Sequence, residues 1–149
     1  SVTGPNKGVL YEGKSQTQEV FNKDVMADLT YALKAVVNGG TGAAALSLGR
    51  PAAGKTGTSQ SNASAWFSAY TPQLAASVAL FRDSASESLN GIGGLNSVTG
   101  GTFPAKIWTA FMKGALKDEP VMSFPQPSNI GGLDPVVMTS GGKQSMKKK

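Results

Sequence analysis

Apolar residues recur at Val25, Met26, Leu29, Ala32, Leu33, Val36 and Val37, a spacing that predicts an amphipathic helix. Asn22 offers its N-cap, and Asn38-Gly39-Gly40 ends it with residues that accept left-handed backbone angles. Farther along, strands are predicted at about 54–60, 63–70 and 74–82. Their links, Ser61-Asn62 and Thr71-Pro72-Gln73, are short and turn-rich, which favours antiparallel neighbours and a three-strand meander. Pro104 can open a second helix at its first turn, with Ile107, Trp108, Phe111, Met112 and Leu116 as one apolar stripe. The first 19 residues are polar and begin as a loop, with one short strand candidate at Val9-Leu10-Tyr11. The stretch from Thr41 to Gly54 reads as small and flexible, and residues 84–102, rich in Ser, Gly and Asn, as a surface loop. The pattern describes an α+β fold of antiparallel strands flanked by helices. It divides into a domain portion at residues 1–117 and a Pro/Gly-rich, Lys-ended tail at 118–149, expected to touch the domain at points such as Phe124. Three strands are thin support for a stable sheet, so more of it is expected from elsewhere.

Composition narrows the chemistry. With no His and no Cys, the chain cannot build a Ser-His-Asp triad, a thiolate nucleophile or a common zinc site. Proton transfer falls to Lys, Asp, Glu or Tyr, and no metal or organic cofactor is implied. The net charge of +5 comes largely from Lys143, Lys147, Lys148 and Lys149. Residues 1–142 carry ten basic and nine acidic groups, a balance of +1, so nucleic acid is not an expected partner. Leu74 to Phe81, the longest apolar stretch, is far too short to span a bilayer. Any export signal or anchor is expected on a segment other than this one.

Gly54-Lys55-Thr56-Gly57-Thr58 carries the chemistry, and it fits two motifs. Gly49 to Thr56 satisfies G-x-x-x-x-G-K-[ST], the phosphate-binding P-loop. That motif needs a buried strand before it and a helix directly after, whereas Gly57-Thr58-Ser59-Gln60-Ser61-Asn62 is a poor helix start. The other fit is Lys-Thr-Gly on a strand edge, which accompanies S-x-x-K and S-x-N in serine acyl-transfer enzymes. On a strand, Thr56 and Thr58 share a face and can bond a ligand carboxylate. Gly57 lets an extended substrate backbone come close, and Lys55 adds positive charge. The N–H of Thr58 can serve an oxyanion hole.

From about Val20 to Leu116 the chain resembles the transpeptidase domain of class A penicillin-binding proteins, within the penicillin-binding/serine β-lactamase-like fold. The resemblance rests on several motifs in order: Val36-Val37-Asn38-Gly39-Gly40-Thr41-Gly42, Gly49-Arg50, Ala53 to Thr58, Ala65-Trp66-Phe67, Tyr70-Thr71-Pro72, and Pro104-Ala105 with Ile107-Trp108 and Phe111-Met112. Ser64 departs from the family's usual acid, and Ala69 from its usual glycine. The resemblance implies a D-Ala-D-Ala transpeptidase that cross-links peptidoglycan stem peptides through a serine acyl-enzyme and is acylated by β-lactams. Lys55, Thr56, Gly57 and Thr58 would form the substrate and β-lactam site, with Lys55 and Thr58 in the catalytic machinery. The enzyme would work on the extracytoplasmic face of the bacterial membrane.

The family's nucleophile is a serine with a lysine one helical turn later. Ser140-Gly141-Gly142-Lys143 and Ser145-Met146-Lys147-Lys148 match only in letters, in a Gly- and Lys-rich tail downstream of Lys55. Ser88-Leu89-Asn90, the one S-x-N match, is likewise downstream. The chain alone is therefore expected to be inactive. Its partner is a companion chain or upstream segment carrying S-x-x-K and S-x-N. Trp66, Phe67, Trp108 and Phe111 are expected in the core, Asp83 on the surface, and Thr41 and Arg50 either near the cleft or in structural roles. A non-catalytic penicillin-fold module, a serine β-lactamase and, more remotely, a nucleotide binder are the competing readings.

Overall fold

The computed structural model describes residues 1–14, 18–84 and 86–130. A small antiparallel hairpin comes first, β1 (Val2–Thr3) with β2 (Val9–Tyr11), its side chains all exposed. Thus Val9-Leu10-Tyr11 is a strand as expected, while Val2–Thr3 lies in a segment read as loop.

Helix α1 spans Lys23–Asn38, with the Asn22 side chain accepting from the Asp24 N–H at 2.7 Å. It ends differently from expectation. Gly39 has φ −173°, an extended angle open to any residue, and its N–H bonds Ala35 O. A two-turn 3-10 helix, Ala43–Leu48, follows, with Ala45 and Leu48 buried and Gly49 left-handed at its end (φ 76°). The segment expected to be flexible is thus part of the packed core.

Strands β3 (Ala53–Thr58), β4 (Ser64–Tyr70) and β5 (Ala75–Phe81) form one antiparallel sheet in the order β3-β4-β5, the predicted meander. The β3–β4 link puts Ser61 and Asn62 at φ 56° and 53°, successive left-handed residues that suit a tight hairpin. Helix α2 (Phe103–Ala115) covers one face of the sheet. The period-2 pattern of β4 explains which: Ala65, Phe67 and Ala69 are buried beneath it, while Trp66 and Ser68 face out. Trp108 fills the centre, edge-on to Phe67 at 5.4 Å, and its indole N–H reaches the carbonyls of Ala69 (3.2 Å) and Ala76 (3.1 Å). A buried indole whose donor is satisfied by two strands locks α2 onto the sheet.

The two predicted apolar stripes are corrected. In α2 the buried line is Ala105, Trp108, Thr109 and Met112, continued by Leu116, while Ile107 and Phe111 are exposed. In α1 the inward residues are Ala27, Thr30 and Val37, and Val25, Met26 and Leu29 face outward. Trp66, at 44% exposure, is likewise not core. Residues 84–102 lack long elements but are more than surface. Leu89 and Val98 are buried against Ala65, and the Asn62 amide bonds Asn90 and Ser97 across the loop. Beyond α2 the chain runs without regular structure to Ile130, with Phe124 packed edge-on against Tyr70 at 5.5 Å. No helix among the described residues is long and apolar enough to cross a membrane.

Candidate active-site edge

Lys55, Thr56, Gly57 and Thr58 all lie on β3, in register with Ser68, Phe67, Trp66 and Ala65 of β4. Among the described residues nothing pairs with the other edge of β3. Alternation along the strand sends Lys55 to the face that α2 leaves open, beside Ser68, and Thr56 and Thr58 to the Phe67 face. A ligand lying along the free edge is therefore within reach of both sets. The Ser59 N–H donates to Ser64 O on β4 at 3.0 Å. Since successive N–H groups of a strand alternate in direction, that of Thr58 points to the free edge.

Each side chain has a local partner. The exposed Lys55 ammonium donates to the Thr56 carbonyl at 2.9 Å. The Thr56 hydroxyl is 2.7 Å from the Thr41 hydroxyl, in the turn after α1. The Thr58 hydroxyl accepts from the Gly100 N–H at 3.2 Å, keeping its own proton free to donate. Gly57 faces Trp66, and a Cβ there would lie 3.3 Å from the Trp66 Cβ, so cross-strand packing also constrains this position.

Of the two residues the sequence left between the cleft and a structural role, Thr41 stands at this edge, whereas Gly100 was not named. Gly100 carries no local signal, because its contact with Thr58 spans 42 residues. Arg50 is structural: its guanidinium donates to Leu116 O (2.9 Å), Glu119 O (3.3 Å) and Pro120 O (3.5 Å), closing the C-terminus of α2. Asp83 is exposed, as expected. The two departures from the family pattern are accommodated locally. Ser64 accepts from the Trp66 indole at 3.2 Å, and Ala69 lies opposite Gly54, where a second Cβ would collide at 2.3 Å. Asn90 of the S-x-N match is turned to Asn62. The two S-x-x-K matches, at Ser140 and Ser145, lie outside the described residues.

The geometry removes the P-loop. Lys55 stands mid-strand, and β3 leads through a tight turn into β4 instead of into a helix.

Comparison with known proteins identifies the fold and the family. The fold is that of a penicillin-binding transpeptidase domain: the penicillin-binding protein PonA1 of Mycobacterium tuberculosis superposes with a TM-score of 0.74 at 28% identity, over 99% of this chain and 40% of that one. PonA1 in complex with penicillin V gives 0.72 at 32% identity, over 88% of this chain and 35% of that one. The family profile of the penicillin binding protein transpeptidase domain matches residues 10–89, more than half of the chain. Penicillin-binding protein 1A of Mycolicibacterium smegmatis is 34% identical over 131 residues, which is 83% of this chain and 16% of the relative. Penicillin-binding protein 1A of Pseudomonas aeruginosa is 38% identical over 111 residues, 72% of this chain and 13% of the relative. The chain belongs to the transpeptidase domain of class A penicillin-binding proteins, and it spans a small part of the length of these relatives.

Proposed function

We propose that this chain supplies the Lys-Thr-Gly wall of a serine D-Ala-D-Ala transpeptidase whose nucleophile and S-x-N element lie on a segment outside this sequence. The observation that carries the reading is the placement of Lys55, Thr56 and Thr58 along a β3 edge with no strand partner among the described residues. In this reading a serine Oγ attacks the carbonyl of the penultimate D-Ala of a peptidoglycan stem peptide. The ester bond forms, the peptide bond breaks, and the terminal D-Ala leaves with the serine's proton. An amine of a neighbouring stem peptide then attacks the ester, forming the cross-link amide and returning a proton to the serine. The Thr58 N–H donates to the oxyanion of each tetrahedral intermediate. The hydroxyls of Thr56 and Thr58 bind the substrate carboxylate. Lys55 contributes positive charge and orients a proton-carrying hydroxyl of the other segment. Gly57 leaves room for the substrate backbone. A β-lactam presents a carboxylate beside a strained amide and acylates the same serine.

Likeness to penicillin-binding proteins supports a site working on the extracytoplasmic face of the cell membrane, with the anchor elsewhere in the protein. Residues 1–117 act as the domain portion and 118–149 as a tail. The test is Lys55→Ala in the complete protein. Loss of a charge-assisted contact, worth about 1.5–3 kcal/mol, slows β-lactam acylation by about tenfold or more. The melting temperature stays close to wild type, because Lys55 is exposed. An unchanged acylation rate removes Lys55 from the site.

A further inference from the structure

We infer that Thr41 is a positioning residue for the acyl-transfer site, fixing and polarising the Thr56 hydroxyl for a ligand carboxylate; this rests on the reading of the β3 edge given above. The two hydroxyl oxygens are 2.7 Å apart although 15 residues separate them in sequence. The turn that carries Thr41 is held from three sides. The Gly42 N–H donates to Val36 O at 2.9 Å, tying the turn to the end of α1. A Cβ on Gly42 would lie 2.9 Å from the Phe67 ring, so the turn rests directly on the core. On the far side, Gly101 packs so closely that a Cβ there would come within 2.1 Å of the Thr41 carbonyl oxygen. Backbone this constrained places its hydroxyl accurately. Stability does not demand the contact, since Thr41 is exposed and water could serve it equally.

The direction of the bond follows from the chemistry of a hydroxyl, which has one proton and two lone pairs. If Thr56 donated to Thr41, it would turn a lone pair towards an incoming carboxylate. An anion at the β3 edge therefore selects the opposite sense, with Thr41 donating to Thr56 and Thr56 donating to the carboxylate. Hydrogen bonds in such a chain polarise one another in the same direction, so Thr56 becomes a better donor than an isolated threonine.

The experiment uses the complete protein and compares acylation by penicillin V with acylation by its methyl ester, which has no anionic carboxylate. Thr41→Val lowers the rate with the acid by about three- to tenfold, the range expected for one net hydrogen bond, and leaves the ester within about twofold. Thr41→Ser keeps the hydroxyl and restores the acid rate. Thr41→Val added to Thr56→Val costs little beyond Thr56→Val alone, because the two act in series. Equal losses for acid and ester in Thr41→Val, no loss at all, or full additivity with Thr56→Val would overturn the role of Thr41 while leaving the β3 reading intact. If Thr56→Val itself fails to separate acid from ester, the carboxylate reading falls and the inference falls with it.

Discussion

Gly100 lies against the sheet where a Cβ would be 2.1 Å from the Trp66 carbonyl oxygen and 2.8 Å from that of Gly57. Both neighbours are backbone and cannot rotate away. Gly100→Ala is therefore expected to push the loop off β3, break its N–H bond to Thr58 and cost about 1–3 kcal/mol, the usual range for overpacking. A lowered melting temperature together with slower acylation in the complete protein is the expected result; an unchanged melting temperature would show that the loop has room to move. At this scale the candidate site was partly legible. Lys55-Thr56-Gly57-Thr58 stands out because a contiguous motif on a period-2 strand fixes which side chains share a face. Thr41 was legible only as a residue near the cleft, without its partner, and Gly100 not at all. Their contacts with Thr56 and Thr58 are made by the tertiary fold across 15 and 42 residues, and neither a lone threonine nor a glycine in a Gly-rich loop signals such a contact.

Among the elements, the strands were read best. Their short links fixed the meander, but the alternation of Ala65, Phe67 and Ala69 with Trp66 and Ser68, the print of one covered face, rules out placing Trp66 in the core with Phe67. The helices were read less well, because periodicity marks an apolar stripe without naming what it packs on. In α1 the small Ala27 and Thr30 allow close approach to the sheet, and the Thr30 hydroxyl reaches the Tyr70 hydroxyl at 2.9 Å. The larger Val25, Met26 and Leu29 remain on the outside. The 3-10 helix at Ala43–Leu48 was missed because six residues are too few to show a period. Helix α1 also anchors the chain beyond α2. The Asp28 carboxylate accepts from the N–H groups of Ser128 (2.6 Å), Asn129 (2.9 Å) and Ile130 (3.0 Å), while Asp24 accepts from the Ser128 hydroxyl at 2.8 Å. The Asn129 N–H, against an opposing push from desolvation and with help from Ile130 and Ser128, holds the Asp28 carboxyl below its ordinary value. A lowered folded-state pKa means that the clasp contributes in full above the unfolded value, about 3.9, and weakens as pH falls through the folded one. Amide protection at Ser128–Ile130 should persist at neutral pH, fall below about pH 4, and be lost at all pH values in Asp28→Asn. Protection that ignores both pH and the substitution would show that the carboxylate does not hold the segment.

In the molecule as a whole, two apolar surfaces lack cover among the described residues. One is the outer stripe of α1, and the other is the sheet face bearing Lys55, Trp66 and Phe81. Among the described residues the outer edge of β3 has no strand partner. A three-stranded sheet covered on one face is a marginal unit by itself, which accords with a chain that spans 16% of its Mycolicibacterium smegmatis relative. In the proposed function Lys55, Thr56 and Thr58 serve a serine that this sequence does not contain. The most direct test is to label the complete protein with a fluorescent penicillin, digest it and locate the adduct by mass spectrometry. The expected result is one modified serine, outside these 149 residues and followed three positions later by lysine, with labelling slowed by Lys55→Ala. An adduct on any serine of this chain, Ser140 and Ser145 included, would contradict it.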